Sequence, residues 1–427
     1  MTDKSINLRN FIYGAGLSIG MRGFAVIAMF LMDLIISRSL GLDEAGYFFL
    51  GVTMVTFLSS IGRMGLEQTL VKNIAIFNNE KSFSKVRSIY KKSMFISLSL
   101  CTFLSLSLIF LWDPLISKIF ITEGFKPVFI LMMCCLPFFS LNILQAYVFQ
   151  GTERIMTSLI FLNILIPIQV SIYVYLFEIS SAVQSARAFL LSSLIALIIG
   201  VIIWLTSIPR AADKKIISNR IILKTSLPLW GYIILTQLIL WYSQLILGIF
   251  GNVGEVAILA VSQRISLLVS VMLLAVNNIV SPKFAKLFAD GKIRELKKLT
   301  VWSVRLLLAA GLPIIAVIII FPEKILSLFG KEYTQGALVL IILAFGQLVN
   351  IMTGSVAMLL SMTKYERELR NKTIITALIV LPFGFYLISS FGLIGAAITT
   401  SFSIALHNLL LALSVHSKLG INVLKFW

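Results

Sequence analysis

The chain alternates long apolar runs with short polar breaks. Most runs are about twenty residues long, the length a helix needs to cross a hydrocarbon core at about 1.5 Å per residue. The pattern predicts twelve spanning helices, at 12–38, 47–70, 93–112, 128–150, 157–177, 187–207, 228–250, 257–281, 301–321, 336–361, 373–390 and 392–414. Helices suit lipid because each satisfies its own backbone donors and acceptors. A β-barrel would need alternating segments of about ten residues, and these runs do not alternate. The expected fold is therefore an all-α polytopic membrane protein. The longest breaks, 72–92, 208–227 and 282–300, are read as loops of about twenty residues, too short for a soluble catalytic domain. The N-terminal MTDKSINLRN leads directly into a long apolar run, which reads as a retained span and not a cleaved signal.

The pattern also repeats. LGLDEAGY at 40–47 lies between the first and second spans, and FGNVGEVA at 250–257 lies between the seventh and eighth. Each is followed by one span and a basic amphipathic linker, IAIFNNEKSFSKVRSIYKK in the first half and FAKLFADGKIRELKKLT in the second. WDPLISKIF matches FPEKILSLF, and GTER matches MTKYER. The offset stays near 210 residues, giving two six-helix halves, 1–215 and 216–427. Six is even, so the halves share one orientation, as in parallel repeats. Two bundles around a central cavity, rocking in alternating access, are the expected consequence.

Composition agrees, with 59% hydrophobic and 13% charged residues. The net charge of +18 would raise nucleic acid as a partner in a soluble protein. Here the charges divide by side. The alternate segments that include both termini hold 26 Lys and Arg, and the opposite segments hold six. By the positive-inside rule the first set is cytoplasmic, with both termini. The excess is a topology signal, with anionic inner-leaflet lipids as a secondary partner, and nucleic acid is set aside. Cys101, Cys134 and Cys135 sit in apolar runs and read as small buried hydrophobes without a metal or disulfide pattern. Pro137, Pro167, Pro313 and Pro382 fall inside spans and favour kinks.

Several ionisable residues fall inside the spans. A charge at the bilayer centre costs about 2.5–3.5 kcal/mol on insertion scales, so such residues face protein or water. Arg22 and Asp33 are eleven residues apart, nearly on one helix face but separated by roughly 16 Å along the axis. They read as a cavity-lining stripe, with Arg38 at the rim near Asp43 and Glu44. Arg63 and Glu67 are four apart on span two and share a face. Two readings stay open for them, a self-neutralising pair or a substrate and coupling role. Arg264 has no acid within four residues and suits a phosphate through its planar donors. Arg305 is expected to snorkel at the end of span nine. Asn142, Gln145, Asn163, Gln237, Gln244, Asn277, Asn278, Gln347, Asn350 and Asn408 could meet sugar hydroxyls or bond between helices, and His407, a lone polar group in span twelve, reads as a packing residue with a proton relay as the alternative.

The stretch SRSLGLDEAGYFFLGVTMVTFLSSIGRMGLEQTLVKNIA resembles the start of bacterial polysaccharide-biosynthesis flippases, members of the multidrug/oligosaccharidyl-lipid/polysaccharide exporter superfamily. The shared features are a Leu-Gly turn with acids and a following Gly, then a helix ending in Gly before a basic residue. VSPKFAKLFADGKIRELKKLTVWSVRLLL is similar to that family's linker between spans eight and nine, and FGLIGAAITTSFSIALHNLLLAL to its last span.

The resemblance implies a non-enzymatic flippase of the bacterial inner membrane, without a cofactor. It would move an undecaprenyl-pyrophosphate-linked, anionic oligosaccharide to the outer leaflet through a cationic cavity. It also implies association with a polysaccharide polymerase and a chain-length regulator. On this reading Arg22, Arg264, Arg63 and Asn277 bind substrate, and Asp33 and Glu67 are the candidate carriers of a coupling proton or sodium ion. An ion-coupled multidrug exporter is the alternative, for which more cavity acids are expected. A membrane polymerase or ligase fits less well, since the outer loops are short and carry no nucleophile constellation.

Overall fold

The computed structural model describes residues 8–120, 124–209 and 217–424, which form helices and short turns with no strand among them. The helices are α1 (Leu8–Leu40), α2 (Leu42–Gly62), α3 (Leu66–Asn79), α4 (Phe83–Phe110), α5 (Ser117–Ile119), α6 (Phe125–Gly151), α7 (Ile155–Asn163) and α8 (Leu165–Leu176). They continue as α9 (Ala182–Ser207), α10 (Asn219–Phe250), α11 (Val253–Ala289), α12 (Ile293–Ile320), α13 (Pro322–Ser327), α14 (Ala337–Thr353), α15 (Val356–Met362) and α16 (Glu366–Leu419). Among the described residues ten helical runs are long and apolar enough to cross a membrane, or eleven when α7 and α8 are one span bent by 42°. The 54 residues of α16 would extend about 80 Å, far beyond one core thickness. Gly392, at φ 50° and ψ −126°, breaks it, and division there gives the twelfth span. The all-α, twelve-span expectation therefore holds.

Span continuity and the linkers differ from expectation. The second span, expected as one helix over 47–70, is two helices separated by Arg63, Met64 and Gly65. Met64 and Gly65 take left-handed backbone, with φ of 50° and 69°, which no α-helix can continue through. The fifth span breaks at Ile164, just before Pro167, whose ring cannot pass the carbonyl four residues back. The tenth breaks at Gly354, at φ 69°. The basic linkers are helical extensions and not loops. α4 runs unbroken from Phe83 and α12 from Ile293, because each linker's apolar stripe has a helix to pack on.

The repeat is written in the turns. Lys81 and Gly291 both take positive φ, as do Glu153 and Lys364. The turns close identically: Ser82 N–H donates to Phe77 O and Lys292 N–H to Leu287 O, while Arg154 N–H donates to Phe149 O and Tyr365 N–H to Leu360 O. These pairs stand 210 or 211 positions apart, the offset read from the sequence.

The chain forms two compact units. Unit 1 is Met1–Ser39, Met54–Lys118 and Gly124–Gly231, and unit 2 is Leu40–Thr53, Ile119–Glu123 and Tyr232–Trp427. In unit 1, α6 packs against α3, α4, α7 and α9. Its core includes Leu70, Ile74, Ile89, Leu144, Val148 and Trp204, with Tyr90 stacked on Trp204 at 4.1 Å. The sequence of α4 shows how lipid inverts the usual pattern. Ser93, Ser97, Cys101 and Ser105 recur every four residues and are buried, whereas Phe95, Phe103 and Phe110 face outward. Small side chains let helices approach, and their hydroxyls bond across: Cys101 Sγ to Ser140 Oγ at 3.1 Å and Ser105 Oγ to the Met133 carbonyl at 2.7 Å. Cys135 is likewise buried on Ser193, but Cys134 is exposed, which corrects its reading as a buried hydrophobe.

In unit 2, α14 packs against α11, α12 and α16. The two repeat-related turns meet there. A Cβ at Gly254 would stand 2.7 Å from Asp43 Oδ1, and one at Gly46 would fall on the Val253 carbonyl. Gly46 is required because α2 there meets the backbone at the start of α11, while Gly254 leaves room for the Asp43 and Leu42 side chains.

Candidate functional site

Unit 1 holds two charged groups inside its spans. On α1, Arg22 is half-buried and Asp33 is 2% exposed, with Ser37 buried one turn further on. Arg22 Nε is buried and makes no hydrogen bond among the described residues. Burying a guanidinium donor without an acceptor is costly, so a polar ligand is the natural complement.

The second group is built by the break in span two. Because α2 stops at Gly62, Arg63 sits in the turn and Glu67 in the first turn of α3, not on one continuous helix as expected. The break nevertheless brings them together. Arg63 Nε donates to Glu67 Oε1 at 2.5 Å, and Arg63 Nη1 donates to Ser59 Oγ at 2.5 Å. Both side chains are buried. Glu67 Oε2 accepts no hydrogen bond among the described residues.

α10 locks this break within unit 1. Trp230 Nε1 donates to the Ile61 carbonyl at 3.0 Å, a second bond to an oxygen that also accepts from Met64 N–H where α2 ends. A Cβ on Gly65 would stand 2.7 Å from the Ser226 carbonyl oxygen. Gly65→Ala is therefore expected to lose about 1–2 kcal/mol from left-handed backbone alone, with a further loss from the displaced carbonyl. A thermal midpoint unchanged from wild type in detergent would contradict this.

Unit 2 carries a polar chain through its apolar helices. Thr53 Oγ1 donates to Gln244 Oε1 at 2.5 Å, and Gln244 Nε2 to Gln263 Oε1 at 2.8 Å. Gln263 Nε2 donates to Thr400 Oγ1 at 3.2 Å, and Thr400 Oγ1 to Ser243 Oγ at 2.9 Å. A second cluster joins Ser270 to Gln347 Oε1 at 2.6 Å and Asn350 Nδ2 to both. Gln263, Ser270 and Asn277 fall at seven-residue spacing, one polar stripe along α11. Asn277 Oδ1 is buried at the end of that stripe with no hydrogen bond among the described residues. Arg264 is half-buried beside the stripe; contrary to its reading as an unpaired cation, it is engaged by another group of the fold.

Of the other polar positions, Asn142 donates to the Ser193 carbonyl and Gln145 to Tyr90 Oη, so both join helices, as do Gln244, Gln347 and Asn350. Asn408 bonds its own helix, and His407 Nδ1 meets Thr376 Oγ1 at 3.4 Å. The side chains of Arg9 and Asn278, together with Lys4, Arg210, Lys214, Lys215 and Lys425, lie outside the described residues.

Sequence reasoning missed Thr53, Ser243 and Thr400, which are single hydroxyls in apolar runs; the seven-residue polar spacing on α11 was the available signal. It also missed Glu255, whose carboxylate lies against the Gly392 break, 3.4 Å from where a Cβ on Gly392 would stand. Among the described residues no group of three or more His, Cys, Asp or Glu is arranged to hold a metal ion. The arrangement offers phosphate-type donors in Arg22 and Arg264, and amide and hydroxyl partners in unit 2.

Comparison with known proteins follows the same lines. Residues 8–288 match the family described as polysaccharide biosynthesis protein, and residues 228–386 match the MatE family. A capsular polysaccharide biosynthesis protein, CapF of Staphylococcus aureus, is 31% identical over 160 residues, 37% of this chain and 38% of that protein. A probable low-salt glycan biosynthesis flippase, Agl15 of Haloferax volcanii, is 24% identical over 183 residues, 43% of this chain and 39% of that protein. The chain thus spans well under half the length of these two relatives. An inward-facing multidrug resistance MATE family transporter superposes with a TM-score of 0.77 at 15% identity, over 92% of this chain and 94% of that one. Lipid II flippase MurJ superposes with a TM-score of 0.72 at 15% identity, over 93% and 87%. With two thirds of its length matched to the family, the chain belongs to the polysaccharide biosynthesis proteins of the multidrug/oligosaccharidyl-lipid/polysaccharide exporter superfamily.

Proposed function

We propose that this transporter moves an undecaprenyl-pyrophosphate-linked oligosaccharide repeat unit from the cytoplasmic to the periplasmic leaflet of a bacterial inner membrane. The cargo serves assembly of an O-antigen-type surface polysaccharide, and the protein acts as a carrier and not as an enzyme. Its halves, 1–215 and 216–427, exchange access between the two sides, with both termini cytoplasmic. Arg22 and Arg264 hold the pyrophosphate along the path, while Asn277 meets the sugar. Asp33 and Glu67 carry the coupling proton or sodium ion, and Arg63 joins Arg22 and Arg264 in binding the cargo. A polymerase and a chain-length regulator receive the product.

The observation that carries this reading is Arg22 Nε, a guanidinium donor buried inside a lipid-crossing helix with no acceptor among the described residues. Within the spans Arg22, Arg63 and Arg264 stand against Asp33 and Glu67, one cation more than the acids, which favours an anionic cargo. The MatE match over 228–386 favours a second reading, an ion-coupled multidrug exporter, and the same charge balance argues against a cationic drug. The test is deletion of the gene in its host, followed by extraction of the lipid-linked sugars. The expected result is accumulation of a pyrophosphate-linked repeat unit, loss of surface polysaccharide and unchanged drug susceptibility. An unchanged lipid-linked pool with heightened drug susceptibility would establish the second reading instead.

A further inference from the structure

The turn between α11 and α12 carries a feature that the transport reading does not use. A groove of about 570 Å³ opens there, lined by Lys283, Lys286, Lys292 and Lys298, with Asp290 and Glu295 as its acids. Leu287, Leu299 and Trp302 form its apolar part. Lys292 lies 3.9 Å from Glu295, but Lys283, Lys286 and Lys298 make no ion pair or hydrogen bond among the described residues.

The corresponding turn in unit 1 is a built-in comparison. There Arg87 donates to the Pro209 carbonyl at 3.0 Å and to the Ile208 carbonyl, and Lys92 donates to the Ile217 carbonyl at 2.7 Å. Lys85 pairs with Glu80 at 3.2 Å. Arg87 and Lys92 of the first half therefore clamp backbone of their own unit. Lys283, Lys286 and Lys298 of the groove show no such side-chain contact among the described residues.

The apolar surroundings say what the lysines are open to. Trp302 is 55% exposed, and Ile293 and Leu306 are exposed on the same helix. Lys298 and Trp302 are four apart and share a face. Trp302 stands where the charged first turns of α12 give way to its apolar run, the level at which a tryptophan meets the headgroups with its apolar body toward the acyl chains. A soluble anion would use the lysines and ignore this apolar surface; a lipid uses both.

We propose that this groove is a docking site for an anionic phospholipid of the cytoplasmic leaflet, its phosphate held by Lys283, Lys286 and Lys298 and its glycerol and acyl region lying along Trp302 and Leu306. The leaflet rests on the orientation proposed above; the lysines, the groove and the tryptophan do not. Clusters of lysines beside a membrane helix attract anionic headgroups through just these contacts.

The test is native mass spectrometry of the purified full-length protein in detergent, offered equal amounts of phosphatidylglycerol and phosphatidylcholine. Wild type is expected to retain phosphatidylglycerol in preference. K283Q/K286Q/K298Q is expected to reduce that preference by about tenfold or more. D290N/E295Q, which removes the groove's acids, is expected to raise it, so the proposal does not depend on the lysine variant alone. Equal retention of the two lipids by wild type, full preference in the lysine variant, or displacement of the lipid by an equal concentration of inorganic pyrophosphate would each overturn it. The measurement is blind to transport and to orientation, so its failure would leave the flippase reading standing, and failure of that reading would leave the docking site.

Discussion

Arg63→Ala is expected to lower the stability of the protein by about 3–5 kcal/mol, the range for breaking a buried ion pair by removal of one partner. The loss is large because three things go at once. Glu67 is left as an unpaired charge in the interior, Ser59 Oγ loses its donor, and the turn that ends α2 loses the side chain bridging it to α3. Glu67→Ala should cost a similar amount, since it strands the guanidinium. The double variant R63A/E67A should cost clearly less than the sum, because it removes both charges from a site that then needs no pairing. Arg63→Lys should fall between, since a single ammonium cannot address Glu67 and Ser59 with the geometry of a planar fork. Thermal or denaturant unfolding in detergent supplies all four values. Additive losses for the two single variants would mean that the pair is not a coupled unit, and an Arg63→Ala loss below about 1 kcal/mol would remove it from any structural role.

The same pair shows which parts of this molecule can be read from its sequence. The i, i+4 spacing of Arg63 and Glu67 announced their meeting, and they meet. The helix that was to hold them on one face does not exist, because Met64 and Gly65 break it. That break depends on Trp230 and Ser226, more than 160 positions later, which no local pattern reports. Pro167 signalled the bend of α7 and α8 because proline acts through its own ring. Gly354 and Gly392 gave no comparable signal, since glycine permits a break without demanding one.

The apolar runs fixed the spans, and the 210-residue offset anticipated the paired turns at Lys81 and Gly291 and at Glu153 and Lys364. Both are properties of the chain taken along its length. The polar chain from Thr53 through Gln244 and Gln263 to Thr400 joins partners 191, 19 and 137 positions apart, so only the fold could assemble it. The linkers were misread for a related reason. Their lysines and arginines suggested loops, but their apolar stripe decided for helix once α6 and α14 were there to pack against.

Arg22→Ala is expected to abolish complementation of a flippase-deficient strain while membrane levels stay at or above wild type. The two halves of that expectation come from one physical fact. A mid-span arginine costs about 2.5–3.5 kcal/mol to insert, so alanine at position 22 should make α1 easier to place in the bilayer, not harder. If Arg22 served packing, its removal would lower protein levels or thermal stability. If it serves cargo, removal takes away a charged hydrogen bond of about 1.5–3 kcal/mol, roughly a 10- to 150-fold loss in transport, with the fold intact. Arg22→Lys separates charge from geometry. Lysine keeps the cation but not the paired planar donors that match a phosphate, so it should restore transport only in part. Arg264→Ala should also stop transport, but with some loss of stability, because Arg264 is already engaged by another group of the fold, whereas Arg22 Nε makes no hydrogen bond among the described residues. Normal surface polysaccharide in the Arg22→Ala strain would remove the cationic path as the basis of cargo recognition.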